Sequence, residues 1–417
     1  MKVTYLGWIK RKRDSKNIIF IDLSIQEREL KLIIDKDQVV LSNFSEFKDL
    51  NIECYIHIEG NEYYNFKRGQ NEVKVKLIEL ISLSETVHYP KFRDDKVNIF
   101  DEKFVNISLT DRHLYIRNPR IIRVVKFRHK LLSIIRQWFE ANNFIEIPAP
   151  IITPLSLYDS STAIPVNIHG QSMFLSQCAG FYLESSVMAL GRVYNIGPSF
   201  RNESSRSKRH LLEYWHVKGE AISLSLEGMI KLTESLIIYI VENLRAETAN
   251  ASNLYLPNEL PRLTYREAIK VLESKGLKVA FGKNFGQKEE KILSENFSSP
   301  FWIMYNSRQG EPFPYKIKPD DDQVTMTADL IASNGYGELL GVAEKIEDLS
   351  ELDERLREKG KKDDLRYEWI RDIRRFGCAP HSAFGMGLER LIRWMLALSH
   401  VRDAHPFPRI FGRNIDI

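Results

Sequence analysis

Apolar and polar positions alternate through residues 1–85 in short runs: VTYLGWI, NIIFIDL, LKLIID, CYIHIEG and EVKVKLIELI. A period of two, carried by β-branched and aromatic residues and broken by polar turns, predicts a handful of short strands with little helix. Such a set closes, fully or partly, into a small barrel. Residues 86–120 hold Pro90 and many charges and read as a linker and hinge. From Ile121 to residue 417 long helical and strand patterns mix, which predicts an α+β domain. Near the end, Leu388, Leu391, Ile392, Met395, Leu396 and Leu398 recur at helical spacing and predict a helix with a buried face. The charged stretch 345–368 reads as an exposed helix without chemistry.

Two segments break these patterns with concentrated polar groups. FRNESSRSKRHLLEYWHVKGE, residues 200–220, sets Arg201, Arg206, Lys208, Arg209 and His210 among Glu203, Glu213 and Glu220. It reads as a strand, a charged loop and a returning strand, whose arms aim polar side chains at one place. Arginine forks bind phosphate oxygens in pairs, a carboxylate accepts an amino proton or holds Mg²⁺, and Tyr214 offers a flat face. A solvated hairpin is the competing reading. The second segment, FGMGLERLIRWM, places Arg390 in the first turns of the apolar helix behind Gly385 and Gly387. An arginine there calls for an anion or an aromatic plane.

The bulk properties narrow the choice little. With 417 residues, 43% hydrophobic and 28% charged, the chain has room for two or three domains. A net charge of +4 permits a nucleic-acid partner without demanding one. Basic residues cluster at Lys10–Arg13 and from Arg117 to Lys130, which suits phosphate-backbone contacts. Cys54, Cys178 and Cys378 are far apart, which excludes a disulfide framework or a C-x-x-C zinc site and fits a reducing compartment. No apolar stretch reaches the roughly 18 residues of a membrane span, so a cytoplasmic protein is expected.

The two polar segments resemble motifs 2 and 3 of the class II aminoacyl-tRNA synthetases, in the aspartyl/asparaginyl branch. Motif 2, FR-x-E, a loop and RHL-x-EF, is matched at Phe200-Arg201, Glu203, Arg209-His210-Leu211 and Glu213-Tyr214, with tyrosine at the phenylalanine position. Motif 3, G-x-G-x-ER, is matched at Gly385, Gly387, Glu389 and Arg390. Motif 1, a long helix and a strand ending in proline, is matched by FRHKLLSIIRQWFEANNFIEIPAP with Pro150. Trp215, Leu183 and YEWIRDIRRFG at 367–377 resemble the asparaginyl side. Residues 1–85 resemble that family's OB-fold anticodon-binding domain, ahead of an antiparallel-sheet catalytic domain at 121–417.

The resemblance implies adenylation of an amino acid by ATP, then transfer to the terminal ribose of a tRNA. Arg201 would clamp the α-phosphate, Arg209 and His210 the γ-phosphate, and Glu203 the adenine amino group. Tyr214 and Arg390 would sandwich the adenine ring. Asp329 and Glu338, nine residues apart across an Asn334-Gly335 turn, would hold Mg²⁺. Phe20 would stack on an anticodon base and Lys31 stands where a base-reading glutamine is common. The motif 1 helix implies a homodimer.

Departures gather at the expected amino-acid pocket. Tyr158 or Asp159 stands where the family has a Glu-Gly pair, and Gly180, two before Tyr182, replaces a glutamine. Lys345 in GVAEK replaces the arginine of GGSQR, which keeps the charge and loses the planar fork. Ser24 replaces the arginine of the family's LRD. Four readings follow: an asparagine–tRNA ligase, a paralogue that adenylates aspartate and amidates it with ammonia, an aspartyl-tRNA ligase, or a tRNA-binding or regulatory protein on a dead catalytic scaffold. The intact Arg201, Arg209, His210, Asp329, Glu338 and Arg390 speak against the last.

Overall fold

The computed structural model describes residues 1–25, 28–85, 97–156, 160–204, 207–248, 250 and 254–412. The described chain divides into two compact units, residues 1–97 and 98–417.

The first unit is a barrel of β1 (Lys2–Asp14), β2 (Ile18–Ile25), β3 (Arg28–Asp35), the two-residue β4 (Val40–Leu41), β5 (Tyr55–Asn65) and β6 (Gln70–Ser82). The strands run in the order β3-β2-β1-β5-β6-β4, and β3 also pairs with β6, which closes the barrel. The alternation read from the sequence is the alternation of the walls. Leu30, Leu32 and Ile34 of β3 point inward with Ile19, Ile21 and Leu23 of β2, and their neighbours face out.

The second unit opens with α1 (Glu102–Thr110) and α2 (Arg112–Tyr115), then the long α3 (Pro119–Ala141), which starts on an Asn118 cap and a proline at its first position. This differs from the expected hinge at 86–120. Residues 86–96 lie outside the described residues, while 98–118 fold with the second unit. Arg112 donates to the carbonyls of His405 and Pro406, and Arg402 pairs with Glu102, so these charges are spent on packing.

Next come β7 (Ile145–Glu146), a small sheet of β8 (Ile152–Thr153), β9 (Ile164–Ile168) and β10 (Gln171–Leu175), and α4 (Gly180–Leu190). β11 (Arg192–Phe200), β12 (Glu213–Ile222) and α5 (Leu226–Leu244) follow. Then come β13 (Arg262–Thr264), α6 (Tyr265–Ser274), α7 (Gln287–Ser294), β14 (Phe301–Met304), and the β15 (Ile317–Lys318) and β16 (Asp321–Thr325) pair. The chain continues as β17 (Thr327–Ala332), β18 (Gly337–Glu344), α8 (Leu349–Glu358), α9 (Glu368–Arg375), β19 (His381–Gly387) and α10 (Leu388–Met395). Eight strands make one sheet in the order β13-β14-β17-β18-β19-β12-β11-β7, antiparallel from β14 to β11.

One face of this sheet carries the core. Val217 and Ala221 of β12 and Phe384 and Met386 of β19 pack with Leu131, Ile135 and Phe139 of α3 and Ile237 and Val241 of α5. The residues between them point to the other face. The charged helix α8 is half-buried rather than exposed: Arg355 has no exposure and donates to the carbonyls of Arg308, Glu311 and Pro312.

Candidate active site

Four residues of β12 at alternate positions, Tyr214, His216, Lys218 and Glu220, line one cavity on the sheet face away from α3 and α5. The period of two puts them in a single stripe. The cavity measures about 470 Å³, within the range of small-molecule sites. Gly385 of β19 makes room for the stripe, because a Cβ there would meet His216 Nε2 at 2.7 Å.

At one end the strand–loop–strand reading holds: β11 and β12 pair antiparallel from Arg192–Ala221 to Phe200–Glu213. Arg201 Nη1 lies 3.5 Å from Glu203 Oε1, and His210 Nε2 lies 3.5 Å from Glu203 Oε2. The Arg201 guanidinium stands over the Tyr214 ring at 5.9 Å. The neighbouring Tyr214 and the Glu203 carboxylate raise the Arg201 pKa against the pull of burial, so it stays cationic. Burial and the Arg390 charge lower His210, so its imidazole is neutral at pH 7. Arg390 Nη1 donates to Glu338 Oε2 at 2.8 Å. Leu212 N donates to the Arg409 carbonyl, so the PFPR segment braces the motif 2 loop.

The turn expected at Asn334-Gly335 is present, with positive φ at Asn334, Gly335 and Gly337. It brings Asp329 and Glu338 onto adjacent antiparallel strands, with Asp329 opposite Gly341 and Ile331 opposite Glu338. Glu290 and Glu311, absent from the sequence reading, add two more carboxylates near them. Burial and the Glu338 and Glu311 charges push Asp329 well above the usual carboxylate range, and Asn306 donates to it at 2.7 Å. Burial and Glu338 push Glu311 up to about 7. Glu338 goes the other way: Arg390 and Arg209 outweigh its burial and lower it. Crowded hard oxygens of this kind are the donors Mg²⁺ prefers, and Asp329 and Glu338 are the residues that would hold it.

The opposite end was largely missed. Lys345 is where the sequence put it, in the cavity wall, but its ammonium is held 3.1 Å from Glu184 Oε2. The other Glu184 oxygen takes Arg374, which also donates to the Ile346 carbonyl. His381 Nε2 lies 3.3 Å from Glu220 Oε1 and 3.8 Å from Glu184 Oε1. Burial alone would lower His381, but Cys378, Glu184 and Glu220 together push it up to about 10. Burial raises Glu220, while Arg374 and Lys345 overcome burial and hold Glu184 well below its ordinary range. Among the described residues Glu184, Glu220 and His381 are the one trio close enough to share a metal ion. Lys345 and Arg374 already neutralise Glu184 there, so a metal does not fit.

Gly180 and Tyr182 do not line the cavity, contrary to expectation. Both lie in the first turn of α4, and Gln177 and Cys178 just before it reach the wall instead. Tyr158 and Asp159 lie outside the described residues. In the barrel, Phe20 is half-buried on the outward face with Arg68 over its ring at 5.7 Å, so it is not a core residue. Lys31 is ion-paired to Asp22 at 2.8 Å and Glu29 at 2.7 Å.

The family model for class II tRNA synthetases (D, K and N) matches residues 105–410. This chain belongs to the class II tRNA synthetases. It is 34% identical to the asparagine–tRNA ligase of Desulforamulus reducens, with 99% of this chain and 96% of that protein covered. The asparagine–tRNA ligase of Thermococcus kodakarensis is 32% identical, with 99% and 95% covered. The crystal structure of asparaginyl-tRNA synthetase from Pyrococcus horikoshii complexed with asparaginyl-adenylate superposes with a TM-score of 0.91 at 31% identity, covering 99% of this chain and 96% of that one. The synthetase fold therefore accounts for both units: an OB-fold-like barrel and an α+β catalytic unit on an antiparallel sheet. Among the described residues no helix is long and apolar enough to cross a membrane.

Proposed function

We propose that this synthetase is an asparagine–tRNA ligase, which activates asparagine with ATP and passes it to tRNA-Asn. The observation that carries the reading is one cavity lined by Arg201, Glu203, Arg209, His210, Tyr214, Asp329, Glu338 and Arg390, in a chain alike over its length to asparagine–tRNA ligases.

Activation joins two anions, so positioning and charge neutralisation do the work. Arg201, half-open to the cavity, receives the charge that builds on the α-phosphate. Tyr214 and Arg390 take the two faces of the adenine ring, and Glu203 accepts from its amino group. Arg209 and the neutral His210 serve the terminal phosphate. Mg²⁺ held by Asp329 and Glu338 would neutralise phosphate charge. The end lined by Lys218, Glu220 and Lys345 receives the amino-acid side chain, with Glu184 buried behind Lys345. In the barrel, Phe20 and Lys31 meet the anticodon, where stacking is worth about 1–3 kcal/mol per base. Ile145, Ile151 and Ile152, exposed next to Pro150, suit a homodimer interface. The site of action is then the cytoplasm.

A second reading, activation of aspartate, is favoured by the cations Lys218 and Lys345 at the floor. Amino-acid-dependent ATP–pyrophosphate exchange across the twenty amino acids without tRNA separates the two. Exchange driven by asparagine, followed by its esterification to tRNA-Asn, supports the ligase. Exchange driven by aspartate alone sinks it.

A further inference from the structure

Glu290 lies on α7, outside the three family motifs, in a run of lysines and glutamates that has no distinguishing mark in the sequence. It is 5% exposed and meets Arg209, itself 7% exposed, fork to fork. Arg209 Nη1 is 2.9 Å from Oε2 and Nη2 is 3.0 Å from Oε1. Oε2 also accepts the backbone N–H of Glu338 at 2.9 Å. One carboxylate thus ties the motif 2 loop to the strand that carries Glu338, whose side chain in turn holds Arg390. The crossing leaves no spare space. A Cβ at Gly337, where φ is +83°, would lie 2.7 Å from Glu290 Oε2 and 2.8 Å from Arg209 Cζ.

A guanidinium has five N–H donors in a plane, and a fork-to-fork carboxylate uses two of them. The pairing therefore fixes the plane of Arg209 and leaves outward N–H groups for a second anion on the cavity side. We propose that Glu290 is a positioning residue that aims Arg209 at the terminal phosphates of the nucleotide and sets the height of the Glu338 strand beneath them. The inference rests on the nucleotide assignment made above. It separates Glu290 from a placeholder, which would compete with phosphate for Arg209 and weaken ATP binding.

The test is calorimetric titration of the full-length protein, with Mg²⁺, by a non-hydrolysable ATP analogue and by AMP, which lacks the outer phosphates. Losing a hydrogen-bonded charge partner of Arg209 weakens the ATP analogue about tenfold in Glu290→Ala. AMP affinity stays within about twofold, and the effect largely vanishes in an Arg209→Ala background because both changes act through one group. Glu290→Gln, which keeps one acceptor oxygen and the side-chain shape, recovers part of the loss. Equal losses for ATP analogue and AMP would mean a purely structural role and overturn the proposal. So would tighter binding of the analogue, the placeholder result, or full additivity with Arg209→Ala. A wild-type protein that binds neither nucleotide would overturn the nucleotide assignment and this inference with it, whereas normal wild-type binding with an unmoved Glu290→Ala overturns this inference alone.

Discussion

The two ends of the cavity treat charge in opposite ways. At the end proposed for the nucleotide, Arg209 and Arg390 are paired with Glu290 and Glu338 at 2.9 and 2.8 Å. The motif 2 loop nevertheless keeps two groups open: Arg201 and His210 retain 41% and 34% of their side-chain surface, each 3.5 Å from Glu203. At the amino-acid floor Glu184, Arg374 and His381 have no side-chain exposure and Lys345 has 2%, and each is already engaged. A half-open cation whose nearest acid is 3.5 Å away loses little when an anionic ligand takes it over. A closed set of opposite charges repays its desolvation only through its own contacts, so it fixes the shape of the pocket more than it waits for a ligand. The nucleotide end is built to bind charge. The floor is built to hold charge still.

This contrast breaks most visibly if the two ends respond alike to truncation. Arg201→Ala is expected to slow amino-acid-dependent pyrophosphate exchange by about 10²–10³, as for other donors to developing charge. Its melting temperature should stay within about 2 °C, because a half-open side chain carries little stability. Normal exchange in this variant would show that the α-phosphate site is misplaced. Glu184→Ala should do the reverse. It strands Lys345 and Arg374 as buried cations, and breaking such a set costs about 3–5 kcal/mol. The readout is the urea transition of the catalytic unit, followed by a probe that does not report on the barrel. A Glu184→Ala protein as stable as wild type would mean that water or a rearranged Glu220 serves the two cations, and that the floor is not closed.

The same contrast explains what could be read from the chain. At the end proposed for the nucleotide, the local geometry of residues 200–220 was legible from its own pattern, while the roles of its residues came from the family resemblance. A strand, a charged loop and a return strand specify their own geometry, and Asn334-Gly335 announces the turn that pairs Asp329 with the strand of Glu338. The floor draws on α4, β12, β18, α9 and β19, so Glu184 and Arg374 meet across 190 positions that no periodicity links. One signal was available: Glu184 is the single charge in the apolar helix GFYLESSVMAL. Glu290 and Arg355 offered none, because a charged helix that buries one charged residue looks the same in sequence as one that buries none. Of the hinge expected at 86–120, residues 98–118 group with the second unit for a related reason, since Arg112 and Glu102 are paired against it.

Glu311 sharpens the comparison on a finer scale, as a buried carboxyl crowded by Glu338. Burial and the Glu338 charge push its carboxyl up to about 7 in the folded chain, from an ordinary value of about 4.5. Between those two values the folded chain holds more protons than the unfolded one, so stability falls as pH rises from about 4.5 to about 7 and stays lower above that. Glu311→Gln removes the titration while keeping an acceptor oxygen and nearly the same shape. The variant should therefore melt a few degrees higher than wild type at pH 8, with the gap closing toward pH 5. Scanning calorimetry of both proteins at the two pH values measures it, and the difference between them cancels Asp403, which burial also pushes up to about 7. A gap that is the same at both pH values would mean that Glu311 is ionised throughout and that its neighbours do not crowd it. The carboxylate cluster would then be less strained than its geometry implies, and the nucleotide end would be as settled as the floor.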